Sequence, residues 1–321
     1  FSLAVGGYAV GSVSGAIFNP AVALSLDISA APDYFAGWSF CWIVFELLGA
    51  AMAAALFRII RSEEFGRSDC DGVVAIGSDF EPDMAVRCLA EFLGTFIIVF
   101  TLCVSVVLAS PYLAWSGAAA LLCMFYSLSD VSGGHFNPAV TLAVILRGKC
   151  SLAVGVAYWA SQCAGGTLAG LVSSSFHAAG PHRFDTYPLS RGWGFSPAAA
   201  GIGELFFTFV LVYVVLACGT VATPSSCRSK RNNHAALAIV GACAGGGLAS
   251  SALSGGMLNP AVCLGVVTSS VSYHAPGAPP ASPFANFVAF SFWELAGGCL
   301  AAGAFRRTHP AEFRSTPLLA K

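Results

Sequence analysis

The tripeptide Asn-Pro-Ala occurs three times in this chain, at Asn19-Pro20-Ala21, Asn137-Pro138-Ala139 and Asn259-Pro260-Ala261. Each copy follows a Gly/Ser-bearing lead-in (SVSGAIF, SGGHF and SGGML) and opens a short apolar run. An α-helix rises about 1.5 Å per residue, so roughly ten residues reach only half-way through a hydrocarbon core about 30 Å thick. Asn is a favoured N-cap and Pro a favoured first helical residue, so each segment should start abruptly at its Asn. The positive end of the helix dipole then lies beside the amide. Two such half-helices entering from opposite faces would meet head to head at the bilayer centre. Irregular backbone at that depth is tolerated only where protein buries it or where it lines a wet cavity. The pattern describes a pore.

Composition agrees. Of 321 residues, 56% are hydrophobic and 10% charged, with a mean hydropathy of +0.75, whereas a soluble globule carries about 25% charged residues. The fold class expected is an all-α membrane protein. Net charge is −1, and the charges sit almost wholly between apolar runs. Most of the twelve cysteines, including Cys103, Cys123, Cys163, Cys218, Cys243 and Cys299, lie inside those runs. There a free thiol acts as a small hydrophobe, and no CxxC pair suggests metal or redox work. No nucleophile–base spacing, metal cluster, phosphate loop or cofactor motif is present, so neither an enzyme, a cofactor nor a nucleic-acid partner is expected. The chain opens at Phe1 inside an apolar segment, which reads as part of a longer protein.

Taken in order, residues 1–10 read as the end of a span and Asn19 to about Leu26 as the first half-helix. A full span follows at about Phe35 to Ile60. Residues 61–84 are the most polar stretch and read as a linker. Residues 85–307 then carry spans at about Val86–Leu108, Tyr112–Leu128, Leu152–Ser173, Ala199–Val221, Ala235–Leu253 and Phe284–Phe305, with the half-helices at Asn137 and Asn259 between them. Residues 308–321 read as a polar tail without packed structure. The Asn-Pro-Ala copies stand 118 and 122 residues apart. LAEFLGTFIIVF is echoed by IGELFFTFVLVY, SQCAGG by WELAGG, and FELLGAAMAAALFR by WELAGGCLAAGAFR. An odd number of spans between the halves makes the repeat inverted. Residues 1–60 thus match the last third of the later unit. If both termini are cytoplasmic, thirteen Lys and Arg lie on the inside and only Arg183 and Arg191 outside, as the positive-inside rule requires.

SGGHFNPAVTL (Ser132–Leu142), AEFLGTF around Glu91, YWASQCAGG around Gln162 and the second Asn-Pro-Ala make residues 85–307 resemble a complete aquaporin, or major intrinsic protein. The resemblance implies a six-span bundle with two re-entrant half-helices, preceded here by a partial copy from a tandem duplication. It implies a homotetramer in a lipid bilayer, each protomer passing water or small neutral solutes in single file. Asn137 and Asn259 would be the donors at the pore midpoint, Pro138 and Pro260 the helix starts, and Ala139 and Ala261 the close-packing positions. Glu91 and Glu204 match the buried glutamates that hold pore-lining backbone, and Asn19, Pro20 and Ala21 form the partial copy's box.

The sequence departs from the family where Arg usually follows the second Asn-Pro-Ala. Val262 stands there, and Val22 in the partial copy. Family spacing puts Gly117, Gly247 and Gly256 at the other three constriction positions, which implies a wide mouth without a cation. Pore diameter and lining groups set selectivity, so larger neutral solutes such as glycerol, urea or ammonia are expected to pass with water. Glu46 and Glu294 replace a more usual Pro. An acid in a span is a functional candidate, while the structural alternative gives each the place Gln162 holds in span three. His135 lines the cytoplasmic mouth in this reading. The leading expectation is a passive channel. A proton-coupled carrier using Glu204 or Glu294 would instead accumulate solute uphill in a pH gradient, and a closed-pore structural membrane protein would show a path blocked by side chains.

Overall fold

A computed structural model describes residues 2–30, 37–62, 82–181, 183, 185, 187–221, 233–273 and 283–313. Among these residues eleven α-helices follow one another, with no strand: α1 (Ser2–Ser14), α2 (Pro20–Ala30), α3 (Trp38–Ile60), α4 (Met84–Val107), α5 (Leu113–Ser132), α6 (Pro138–Leu146), α7 (Leu152–Ala179), α8 (Pro197–Gly219), α9 (Asn233–Ser254), α10 (Pro260–Ser272) and α11 (Pro283–Thr308). The starts are locally encoded. Asp83 caps α4 by accepting from the Val86 N–H at 2.8 Å, and Ser151 and Ser196 cap α7 and α8 in the same way. Such caps are worth about 1 kcal/mol each.

The six spans expected after the linker fall on α4, α5, α7, α8, α9 and α11, and the half-helices on α2, α6 and α10. Among the described residues, α3, α4, α8, α9 and α11 are long and apolar enough to cross a membrane. Helices α5 and α7 have the length, 20 and 28 residues, but a more polar make-up than expected of spans. The reason is inward-facing polarity: Gln162, Ser173 and His177 of α7 are buried, as are Ser116 and Ser132 of α5. Most of the linker (63–81), the basic loop (222–232), the Pro-rich loop (274–282) and residues 314–321 lie outside the described residues. The ten cysteines among the described residues are free thiols.

The two halves of the unit exchange their half-helices. Helix α10, from the second half, packs on α4 and α7 of the first, and α6 packs on α8 and α11 of the second. Each half-helix is the centre of a core: Val262, Cys263 and Val266 among Val99, Cys103 and Ala169, and Ala139, Val140 and Val144 among Val212, Leu216 and Phe305. Paired glycines permit the approach. A Cβ on Gly165 would lie 2.5 Å from the Phe92 carbonyl oxygen and one on Gly166 2.5 Å from that of Ala261. Their counterparts Gly297 and Gly298 meet the carbonyls of Leu205 and Ala139. Backbones that close need residues without side chains.

Helix α1 lies against α4 and α5, while α2 packs on α3. The rings of Tyr8 and Tyr112 stand 4.6 Å apart, and Arg61 reaches Asp130 at 3.8 Å. One expectation needs correction. The segment after α11 is packed as far as residue 313: Pro310–Phe313 forms a 3₁₀ turn whose Glu312 accepts from Arg147 Nη2 at 2.7 Å. The Arg147 guanidinium also lies over the Phe313 ring, 4.5 Å from its centroid. Arg147 ends α6, where a cation suits the negative end of the helix dipole, and burial of its head draws the acid and the ring onto it.

Candidate functional site

The lead-in loops of α6 and α10 have matching backbone shapes. Gly133 and Gly134 have φ of 95° and 67°, and Gly255 and Gly256 of 89° and 66°. One residue before each Asn, Phe136 and Leu258 are also left-handed, with φ of 47° and 54°. Bulky residues rarely adopt that region, and holding them there costs on the order of 1–3 kcal/mol. What the strained backbone accomplishes is visible in the hydrogen bonds. The Leu258 carbonyl accepts from Asn137 Nδ2 at 2.9 Å, and the Phe136 carbonyl accepts from Asn259 Nδ2 at 3.0 Å. Each Asn Oδ1 meanwhile accepts from the N–H two residues on, Ala139 at 2.8 Å and Ala261 at 2.9 Å. The expected head-to-head meeting is therefore made, and cross-bonded reciprocally. An amide NH₂ has two donors, so each Asn keeps one beyond its cross-bond.

Buried acids hold these loops. Glu91 accepts from Ser132 Oγ at 2.6 Å, from the N–H groups of His135 and Phe136 at 2.9 and 2.7 Å, and from Gln162 Nε2 at 2.8 Å. Glu204 accepts from Ser254 Oγ and from the N–H groups of Met257 and Leu258 at 3.1 and 2.8 Å. Glu294 accepts from the Asn259 N–H at 2.8 Å. All three are fully buried. The structural alternative read for Glu294, a bond to the re-entrant loop, is what the geometry has.

Both Asn line a cavity of about 60 Å³, together with Pro-flanking Val140 and with Gly117, Gly247, Gly256 and Val262. At about 30 Å³ per water in the liquid, that volume holds about two molecules. Among the described residues its hydrogen-bonding side chains, besides the Cys243 thiol, are His135, Asn137 and Asn259, and its lining contains no Lys or Arg. Two of the three glycines expected at a wide mouth have neighbours close by. A Cβ on Gly117 would run into Leu102, and one on Gly247 would lie 3.4 Å from the Ala114 Cβ. Leu102 and Ala114 have moved into the room the glycines leave, and both line the cavity and its outer neighbour. Sequence reading missed these two, since they are ordinary apolar residues.

His135 lines the central cavity and also a vestibule of about 430 Å³ at its other end, with Arg87, Lys149, Cys150 and Tyr158. Its Nδ1 sits 3.2 Å from Thr141 Oγ1, and its ring meets that of Tyr158 edge-on at 5.3 Å. Arg87 Nε donates to the Tyr158 hydroxyl at 2.9 Å, which donates to the Ser132 carbonyl at 2.7 Å. A signal existed for this pair: Arg87 and Tyr158 precede Glu91 and Gln162 by one helical turn, on the same faces.

Asn19, Pro20 and Ala21 form the same cap, the Ala21 N–H donating to Asn19 Oδ1 at 2.9 Å, but Asn19 is exposed and α2 packs on α3. Glu46 lies on α3 with its Oε2 buried and without a hydrogen-bond partner.

The sequence profile of the family described as Major intrinsic protein matches this chain twice, over residues 1–85 and 80–305, consistent with a tandem duplication. A probable aquaporin TIP5-1 of Oryza sativa subsp. japonica is 33% identical over 213 residues, 60% of this chain and 77% of the rice protein. Aquaporin TIP2-3 of Arabidopsis thaliana is 32% identical over 208 residues, 60% of this chain and 79% of that protein. Among solved structures, the aquaglyceroporin from Plasmodium falciparum shares the fold, with a TM-score of 0.60 at 20% identity, covering 73% of this chain and all of that one.

Proposed function

Because the chain belongs to the major intrinsic protein family, we propose that water and small neutral solutes of the glycerol, urea or ammonia type cross the membrane between Asn137 and Asn259. The protein is an integral multi-pass membrane channel and not an enzyme. The observation that carries the finer reading is the reciprocal pair of Asn-to-carbonyl bonds at the facing ends of α6 and α10, lining one cavity. Spare amide donors there would replace a solute's lost water contacts, while the two positive helix ends oppose cations. An apolar lining without Lys or Arg favours uncharged solutes. We read Leu102, Ala114, Gly117, Gly247, Gly256 and Val262 together as the constriction, Arg87 and Lys149 as its cytoplasmic side, and residues 85–307 as the conducting unit within a homotetramer. The basic residues at the same end as Arg87 argue for cytoplasmic termini.

Stopped-flow swelling of liposomes carrying the full chain tests this. Faster water and glycerol entry than in protein-free vesicles is expected, and no acceleration of either defeats the reading. Val262→Arg should cut glycerol entry about tenfold while sparing water, because one added group in a narrow site discriminates on that scale. Leu102→Ala should act in the opposite direction.

A further inference from the structure

The repeat sets two buried clusters side by side for comparison. In the first, the Glu91 carboxylate has four donors, the last of them Gln162 Nε2, which also lies 2.9 Å from Thr141 Oγ1. In the second, Glu204 has three, Ser254 Oγ and the N–H groups of Met257 and Leu258. Glu294 occupies the Gln162 position, three and four residues before the glycine pair, and Cys263 occupies that of Thr141, four residues after the Asn. Glu294 Oε1 accepts from the Asn259 N–H and from Cys263 Sγ, at 2.8 and 3.3 Å. Its Oε2 is buried with no hydrogen-bond partner among the described residues, and in the repeat its carboxyl stands to Glu204 as the Gln162 amide stands to Glu91, where Nε2 and Oε2 are 2.8 Å apart. Both side chains have no exposed surface.

Two ionised carboxylates cannot share such a place. Like charges at hydrogen-bonding separation repel strongly in a poorly screened interior, and each would also lose its hydration. Among the described residues the groups bonded to the pair are Ser254 Oγ of α9, the N–H groups of Met257, Leu258 and Asn259, and Cys263 Sγ of α10; none is basic. A neutral carboxylic acid, by contrast, has one O–H donor and remaining acceptor capacity, and so can supply the one Gln162 donor that goes to the acid, while Cys263 Sγ donates where Thr141 accepts.

We propose that Glu204 and Glu294 form a buried proton-binding site, in which a single proton sits on Glu294 Oε2 and is donated to the Glu204 carboxylate. The proton supplies the bond that an amide N–H supplies in the first half. Glu294 then acts as a positioning residue: tied to Glu204 through its proton and to the Asn259 N–H through Oε1, it fixes the second half-helix start. Nothing in this requires the proton to move during transport.

Infrared spectroscopy of the full chain in lipid at neutral pH, with hydrogen–deuterium exchange, tests it. Wild type minus Glu294→Gln should show one protonated carboxylic carbonyl band. Working by difference removes any signal from Glu46, whose Oε2 is also buried without a partner. Because the amide reproduces the donor, Glu294→Gln should unfold within roughly 3 °C of wild type, while Glu294→Ala falls well below both. No band in the difference spectrum overturns the proposal. So does a Glu294→Gln chain that fails to fold or melts with Glu294→Ala. Neither readout depends on what the channel carries, so a failure here leaves the permeation reading standing.

Discussion

Residues 1–60 and residues 85–307 contain the same box in two surroundings. Asn19 caps α2 with the bond geometry that Asn137 and Asn259 use, 2.9 Å against 2.8 and 2.9 Å. Phe18, before Asn19, is left-handed at φ 51°, like Phe136 and Leu258. Yet Asn19 is exposed, while Asn137 and Asn259 are only 4% and 8% so. Val22 is 42% exposed against 3% for Val262. Cap and strained turn are therefore local properties that a dozen residues carry with them. A site is not: it needs the opposed half-helix, its carbonyl and the acids behind the loop. The motif alone marks where a half-helix begins, and only the pairing makes a cavity.

The sharpest way to break that comparison is at a glycine. Gly49 and Gly297 hold the same place in the repeat (FELLGAA and WELAGGC). A Cβ on Gly49 meets nothing within 4 Å, whereas one on Gly297 runs into the Leu205 carbonyl of α8. The next position has already diverged, Ala50 against Gly298, which lies against the Ala139 carbonyl. Gly297→Ala should cost about 3 kcal/mol, as overpacking against backbone does. Gly49→Ala should be neutral or stabilise by up to about 1 kcal/mol through helix propensity. Thermal unfolding in detergent reads both. Equal shifts would mean that residues 1–60 pack like residues 85–307.

Next in size is the cap itself. Asn259→Ala removes a cap worth about 1 kcal/mol and strands the buried Phe136 carbonyl, for about 1–3 kcal/mol more. Asn19→Ala removes only the cap, so about 1 kcal/mol at most is expected. In the swelling assay Asn259→Ala should lose most solute entry and Asn19→Ala none. Permeation that survives Asn137→Ala with Asn259→Ala and vanishes with Asn19→Ala would reverse the assignment of the conducting unit.

How much was legible in the sequence follows from how local each feature is. The starts of α2, α6 and α10 were readable because Asn-Pro decides them within two residues. The spans α3, α4, α8, α9 and α11 were readable from apolar length, and the place of Glu91 behind the loop came through the resemblance. The left-handed Phe136 and Leu258 were not readable, because nothing in either side chain favours that backbone, and Phe18 adopts it even without an opposed half-helix. The approach of Leu102 to Gly117 and of Ala114 to Gly247 was hidden for a related reason. A glycine says that something comes close, not whether it is solute, solvent or a neighbouring leucine. The docking of Phe313 on Arg147 depended on a contact across 166 residues of sequence, which composition reads only as a polar end.

The smallest effect concerns how the two regions touch. Arg61, at the end of α3, reaches Asp130 of α5 at 3.8 Å, with Asp130 a third exposed. A partly exposed pair at that distance contributes about 0.5 kcal/mol, less in salt. The aromatic contact of Tyr8 with Tyr112 and the burial of Val5 and Ile60 among Ala90, Ile98 and Leu128 should hold the N-terminal segment more firmly. Arg61→Ala should therefore leave limited proteolysis between the two regions nearly unchanged and insensitive to salt, while Tyr8→Ala speeds it. If the arginine variant proved the more sensitive, charge rather than apolar burial would be what joins residues 1–60 to residues 85–307.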